Sequence, residues 1–189
     1  VIFDKLGIHT TTMYKKLDFE LTNSQIKVLK EIRLDLSSGK PMNRLIQGDV
    51  GCGKTIVAAL TAGIIVGKKK QVAIMAPTEI LAEQHFNSFK NKFKKTNIKC
   101  ALLISNIKKL EKEELYKNLE FGNIDIIIGT HALIQNKVQF KELGLIIIDE
   151  QHRFGVDQRK KIINKGVNPH ILAMTATPIP RTLAFTLHG

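Results

Sequence analysis

At 189 residues and 43% hydrophobic, the chain has the size and apolar content of one globular domain with its own core. It holds no uncharged apolar run of about 18 residues, which argues against a membrane span, and its two cysteines, Cys52 and Cys100, lack both CxxC zinc spacing and the density of a disulfide framework, as in a reducing cytoplasm. The formal charge of +12 invites a polyanion, but it rests on 24 Lys against 5 Arg, and runs such as Lys68-Lys69-Lys70 read equally as solvated turns, so charge alone decides nothing.

The first residues, Val1-Ile2-Phe3-Asp4-Lys5, have neither an initiator Met nor the basic, apolar and small-residue order of a signal peptide. Together with the ending Leu187-His188-Gly189 this reads as a piece of a longer protein, with residues 1–20 the tail of a leading linker. Helix-start chemistry follows at Leu21-Thr22-Asn23-Ser24-Gln25, ahead of the apolar positions Ile26, Val28, Leu29 and Ile32. From there strands and helices alternate. Runs rich in Ile, Val and Leu predict strands at Leu45–Gln47, Val72–Ala76, Lys99–Ile104, Ile124–Ile128, Leu145–Ile148 and Ile171–Met174. Amphipathic spacing predicts helices at Thr55–Val66, Ile80–Phe93, Lys108–Leu119 and Val156–Lys165. Within the third of these, the Lys/Glu pairs of Lys108–Lys117 have the four-residue spacing of an exposed helical face. Strands apolar on both faces, alternating with helices, predict an α/β fold: a mostly parallel sheet covered on both faces, with right-handed crossovers and a ligand at the carboxyl ends of the strands.

Two motifs carry chemistry that can be read from the residues themselves. Gly48-Asp49-Val50-Gly51-Cys52-Gly53-Lys54-Thr55 fits G-x-x-x-x-G-K-[ST] between a strand and a helix. Its glycines let successive N–H groups turn inward onto phosphate oxygens, and the helix starting near Lys54 adds partial positive charge. Lys54 is expected to reach the β- and γ-phosphates of a nucleoside triphosphate, and the Thr55 hydroxyl to ligate Mg²⁺. Cys52 occupies a variable position of the pattern and needs no chemistry of its own. The second motif, Ile146-Ile147-Ile148-Asp149-Glu150, ends an apolar strand on two carboxylates. A buried carboxylate there needs a cationic partner. In P-loop enzymes the strand-end Asp holds Mg²⁺ through water and the next Glu can orient or deprotonate the attacking water, so Asp149 is the expected metal residue and Glu150 the expected catalytic base. A P-loop ATPase follows from chemistry alone.

The remaining motifs resemble one family. Asp149-Glu150-Gln151-His152 looks like motif II of superfamily 2 helicases in its DExH form, Ala76-Pro77-Thr78-Glu79 like motif Ia, Gly129-Thr130-His131 like motif Ib and Thr175-Ala176-Thr177 like motif III. Their finer wording, in Met75-Ala76-Pro77-Thr78-Glu79-Ile80-Leu81-Ala82-Glu83-Gln84-His85, in Arg153-Phe154-Gly155-Val156 and in Pro178-Ile179-Pro180-Arg181, is similar to the RecG-type branched-DNA helicases. The transcription-repair coupling translocases share the last two segments and stand as the alternative. A transporter ATPase or a nucleotide kinase would share the cradle, but no Leu-Ser-Gly-Gly-Gln segment occurs and Thr175-Ala176-Thr177 and Pro77-Thr78-Glu79 would go unexplained. A pure nucleotide-binding module would share the fold, and stimulation of ATP hydrolysis by DNA separates it.

The resemblance implies a RecA-like helicase ATP-binding domain over residues 21–189, the first of two motor domains. It further implies ATP and Mg²⁺ as cofactors, branched double-stranded DNA as partner, and a cytoplasmic monomer that remodels stalled forks and Holliday junctions. A wedge domain and a second motor domain belong to the same family plan and are absent from this chain. Phe19 and Gln25 match the adenine-recognising segment, where the family's Leu-Pro-Phe is here Leu17-Asp18-Phe19. Pro77, Thr78, Gln84, Thr130 and His131 are implied to touch the DNA backbone, where hydroxyls and amides bond phosphate without reading sequence. Thr175 and Thr177 are implied to couple nucleotide to DNA, with His152 beside them, and Arg181 to serve an interdomain contact. His85 reads as a satisfied structural histidine.

Overall fold

The computed structural model describes residues 21–48 and 53–176. The first helix, α1 (Asn23–Ser37), starts on a capping box: the Thr22 hydroxyl accepts from the Gln25 N–H at 3.1 Å, and the Gln25 side-chain oxygen accepts from the Thr22 N–H at 2.9 Å. The order then runs β1 (Asn43–Gln47), α2 (Lys54–Gly67), β2 (Gln71–Met75), α3 (Glu79–Lys92), β3 (Cys100–Leu103), α4 (Lys109–Phe121), β4 (Ile126–Gly129), β5 (Leu143–Asp149), α5 (Val156–Ile163) and β6 (His170–Thr175). Single 3₁₀ turns follow β4 at His131–Ile134 and β5 at Gln151–Arg153.

Among the described residues the strands form one sheet in the order β1-β6-β5-β2-β4-β3, every neighbouring pair parallel. The expected α/β architecture with helices on both faces is present, because alternate residues of each central strand feed two separate cores. Val72, Ile74, Ile126, Ile128, Leu145 and Ile147 pack with α1, α2 and α3 on one face. Ala73, Met75, Ile127, Ile146 and Ile148 pack on the other with Leu119 of α4 and Ile162 of α5. α2 is buried along its length from Ile56 to Val66. A helix apolar all round needs cover all round, and it is held between the sheet and α1.

Register then sets where the motifs emerge. Gln47 pairs with Thr175, Asp149 with Met174, Ile148 with Met75, and Met75 with Gly129, so the strands end level along one rim. Hydrogen bonds continue the ladder one step beyond it: Gly48 N–H to Thr175 O at 3.2 Å, Glu150 N–H to Met174 O at 2.9 Å, and Ala76 N–H to Gly129 O at 2.9 Å. At Gly129 a side chain is excluded by close approach, since a Cβ there would overlap the Leu103 carbonyl oxygen and crowd Leu133.

Candidate functional site

The rim sorts the motifs into two neighbouring groups. β1, β6 and β5, adjacent in the sheet, deliver the Gly48–Thr55 segment, Thr175 and the Asp149-Glu150 pair. β2 and β4, next in line, deliver Pro77-Thr78 and Thr130-His131.

In the first group α2 begins without the usual polar cap. Its N-cap is Gly53, in the left-handed region at φ 84°, with no side-chain hydrogen bond and no acidic residue in the first turn. Gly53 thus offers the first-turn N–H groups no side-chain acceptor, the arrangement that suits an oxyanion ligand. Lys54 donates to the Gly48 carbonyl at 3.0 Å, which ties the start of α2 to the residue that follows β1. Thr55 stands in that first turn, half-buried. Gln25 is brought to the same place: a Cβ on Gly53 would collide with its amide nitrogen. The Gln25 oxygen closes the capping box of α1 while its nitrogen meets the end of the cradle. Asp49, Val50, Gly51 and Cys52 lie outside the described residues, as do Phe19, Thr177 and Arg181.

The carboxylates hold different partners. Asp149 is buried at the end of β5, and its Oδ2 lies 2.7 Å from His85 Nε2 on α3. Among the described residues that imidazole is its side-chain hydrogen-bond partner. Glu150 lies in the left-handed region at φ 51°, a strained conformation costing about 1–2 kcal/mol for a residue with a Cβ. Its carboxylate accepts from the Ala176 N–H at 3.4 Å and lies 3.6 Å from His152 Nδ1. It thus bridges the end of β5 to the end of β6. As a metal site the expected donors are the buried Asp149 carboxylate and the Thr55 hydroxyl in the first turn of α2. Among the described residues no group of three or more His, Cys, Asp or Glu is placed to hold a metal ion. One carboxylate and one hydroxyl fit a cation that takes its remaining ligands from phosphate and water, as Mg²⁺ does.

In the second group Thr78 caps α3, its hydroxyl oxygen accepting from the Leu81 N–H at 3.2 Å, and Thr130 caps the following 3₁₀ turn, accepting from the Ala132 N–H at 3.4 Å. In each case the hydroxyl proton is left to donate elsewhere. Gln84 and His131 are exposed and Pro77 is half-buried, whereas Thr130 and Thr175 are only 2% and 3% accessible. A phosphate contact by Thr130 therefore needs local movement. His85 is the residue that sequence reasoning leaves without a role. Its spacing seven residues after Thr78 places it in the second turn of α3, but its partner is 64 positions away and leaves no local signal.

The family model described as DEAD/DEAH box helicase matches residues 22–185. The chain belongs to this helicase family. The resemblance to RecG is borne out as well. The helicase domain is 57% identical over 175 residues to the ATP-dependent DNA helicase RecG of Bacillus subtilis (strain 168), covering 93% of this chain and 26% of that protein. It is 54% identical over 177 residues to the ATP-dependent DNA helicase RecG of Aquifex aeolicus (strain VF5), covering 93% of this chain and 22% of that one. A solved structure of RecG bound to a three-way DNA junction superposes with a TM-score of 0.83 at 50% identity, covering 94% of this chain and 24% of the other. The chain spans about a quarter of the length of the curated relatives it matches. No helix among the described residues is long and apolar enough to cross a membrane.

Proposed function

We propose that this chain is the first motor domain of an ATP-driven helicase that moves on branched double-stranded DNA, remodelling stalled forks and Holliday junctions, with residues 21–189 as the RecA-like unit and residues 1–20 as its leading linker and adenine-side segment. A single observation carries the reading: three adjacent strands, ending level, bring Lys54, Thr175 and the Asp149-Glu150 pair to one rim. The strands beside them offer hydroxyl and amide groups of the kind that bind phosphate without reading sequence. The relatives named RecG support the same assignment, and the three-way junction bound by RecG in the solved neighbour supports branched DNA as the partner.

In this reading ATP lies over the Gly48–Thr55 segment. Lys54 leaves the Gly48 carbonyl for the β- and γ-phosphates, Phe19 and Gln25 face the adenine, and Thr55 and Asp149 hold Mg²⁺, which screens phosphate charge when bound. Glu150, held by the Ala176 N–H and with His152 beside it, takes the proton of the attacking water. Pro77, Thr78, Gln84, Thr130 and His131 track the DNA backbone. Thr175, Thr177 and Arg181 serve coupling and the contact with a second motor domain. The whole protein is proposed to work in the cytoplasm as a monomer.

The test is a pair of measurements on the whole protein: affinity for ATP with Mg²⁺, and turnover with forked DNA. Lys54→Ala loses a charge-assisted contact of about 1.5–3 kcal/mol in ATP binding. Glu150→Gln keeps shape and binding but cannot accept a proton, so DNA-stimulated hydrolysis falls by about 10²-fold or more. Normal turnover by Glu150→Gln places the base elsewhere, and wild-type affinity in Lys54→Ala removes the nucleotide site.

A further inference from the structure

The contact between His85 and Asp149 joins the two groups of motifs. His85 belongs to α3, which begins at the Thr78 cap and anchors on the sheet through buried Ala82 and Phe89. Asp149 ends β5, the strand flanked by β6 on one side and β2 on the other. Both side chains are largely withdrawn from solvent, at 13% and 11% accessibility, and meet at 2.7 Å. A carboxylate only accepts hydrogen bonds, so Nε2 carries the proton. A short, partly desolvated bond of this kind fixes the rotation of the carboxyl group and commits one oxygen, Oδ2, to α3. The preceding residue, Gln84, is exposed. Successive helical residues point about 100° apart, so one turn of α3 presents an amide to the outside and an imidazole to the carboxylate.

We propose that His85 is a positioning residue: it orients Asp149 for the cation and ties that carboxylate to α3, so that the helix carrying Thr78 and Gln84 and the metal-holding group move together. The proposal rests on the reading of Asp149 as the metal residue. Carboxylates that hold a metal are commonly oriented by an outer hydrogen-bond donor, and losing such a donor typically weakens metal binding or activity about 10- to 100-fold. His85 occupies that outer position, and it does so from an element on the other side of the rim. A histidine that merely filled space would be replaceable by an apolar residue of similar size.

The experiment uses the whole protein and the variants His85→Leu, His85→Gln, Asp149→Asn and the double variant His85→Leu/Asp149→Asn. The first readout is the Mg²⁺ concentration that half-saturates binding of a fluorescent ATP analogue, without turnover. The second is the ratio of ATP turnover with and without a forked duplex, and the third is affinity for that duplex by anisotropy. His85→Leu is expected to raise the Mg²⁺ midpoint about 10- to 100-fold and to lower the stimulation ratio, with duplex affinity in the absence of nucleotide unchanged. His85→Gln, which keeps an N–H donor, recovers most of both. In the double variant the His85 change adds little to Asp149→Asn, as residues acting through one contact should behave. A His85→Leu protein with the wild-type Mg²⁺ midpoint and stimulation ratio overturns the proposal. So does equal loss in the Leu and Gln variants, or full additivity in the double variant. If Asp149→Asn itself leaves the Mg²⁺ midpoint unmoved, the metal reading fails first, which separates the two failures.

Discussion

Gln71 offers a direct test of how the sheet is held behind its functional rim. It opens β2, 5% accessible, and its side chain makes three hydrogen bonds: Nε2 donates to Leu119 O at 2.9 Å and to Ile124 O at 2.8 Å, and Oε1 accepts from the Glu142 N–H at 3.0 Å. One amide thus fastens the end of α4, the approach to β4 and the approach to β5 onto β2. Gln71→Leu keeps much of the volume and removes all three bonds. The Leu119 carbonyl still accepts from the Gly122 N–H, and Glu142 is exposed enough to rehydrate. The full penalty therefore falls on the Ile124 carbonyl. A buried orphan costs about 1–3 kcal/mol and each ordinary lost bond about 0.5–1.5 kcal/mol. Part is offset by the apolar burial of leucine, roughly 1–2 kcal/mol, leaving a net destabilisation of about 3 kcal/mol. Urea denaturation should show a lower midpoint with an unchanged m-value, and the melting temperature should fall by about 6–12 °C. Gln71→Glu should be worse at neutral pH, since it sets a buried anion against two carbonyl oxygens, and should recover partly in acid as the carboxyl regains a donor. A Gln71→Leu chain within about 1 kcal/mol of wild type would refute the claim that this amide clamps the sheet.

Three further outcomes follow from the structure. His170 Nδ1 accepts from the Met42 N–H at 2.8 Å, and burial, then Lys68 and Lys70, hold its pKa below the ordinary 6.5 against a raising influence of Asp35. The unfolded chain therefore takes up a proton near pH 6.5 that the folded one refuses, so stability declines as pH falls below that value and levels off below the folded pKa. His170→Asn, whose Oδ1 can accept without titrating, should flatten that decline in urea midpoints between about pH 7.5 and 5, bracketing the ordinary histidine pKa; equal slopes would count against it. Burial and then Asp125 push the Cys100 thiol up to about 12 against the lowering effect of Lys90, from an ordinary 9.0. In a Cys52→Ser background, alkylation at pH 8 should be slower than for the urea-unfolded chain by about one to two orders of magnitude, because the smaller thiolate fraction is only partly offset by the greater nucleophilicity of a higher-pKa thiolate, and equal rates would contradict the burial. Gly129→Ala forces a Cβ against the Leu103 carbonyl and Leu133. It should cost about 1–3 kcal/mol as an overpacked site, and a neutral thermal melt would mean the strand end yields freely.

Much of the fold and the site is legible in the sequence because it rests on local chemistry. The apolar runs predict all six described strands, with ends displaced by a residue or two: Ala76 is expected in β2, and its N–H indeed still bonds Gly129 O although the strand itself stops at Met75. Ile124 is expected in β4, but the strand starts at Ile126, where Lys99 O already accepts from Asp125 and Ile126. The capping residues, the cradle glycines and the carboxylate pair are likewise short patterns with a mechanism. Contacts made by distant residues leave no such trace. His85 with Asp149 spans 64 positions and Gln71 with Ile124 spans 53, and neither residue type announces its partner. The strand order is of the same kind, since alternating strands and helices fix parallel pairing without saying which strand lies beside which. The use of Gln25 is half legible: the Thr22-to-Gln25 spacing is a capping box, but the approach of its nitrogen to Gly53 depends on how α1 lies on α2.

The arrangement also limits how the two halves of the rim can communicate within this domain. β5 is the strand that pairs with both a nucleotide-side strand, β6, and a strand of the other group, β2. Every residue of β5 from Leu143 to Asp149 is buried. Sliding that strand against either neighbour would break ladder hydrogen bonds and disturb two close-packed cores at once. The body of the sheet is therefore a poor transmitter and a good reference frame. Compliance is left to the side chains that reach across its carboxyl edge, His85 to Asp149 on one side of β5 and Glu150 to the Ala176 N–H on the other. Glu150 sits in a strained backbone conformation at the junction of these two contacts, where a small rotation changes both at little cost to the fold. On the proposed function, coupling between nucleotide and DNA is thus expected to be sensitive to substitutions at His85, Asp149, Glu150 and the β6 end, and insensitive to conservative changes in the apolar interior of β5, such as Ile147→Val, that cost only about 0.5–1.5 kcal/mol of stability. A loss of DNA stimulation in Ile147→Val as large as that in His85→Leu would place the transmission in the sheet itself.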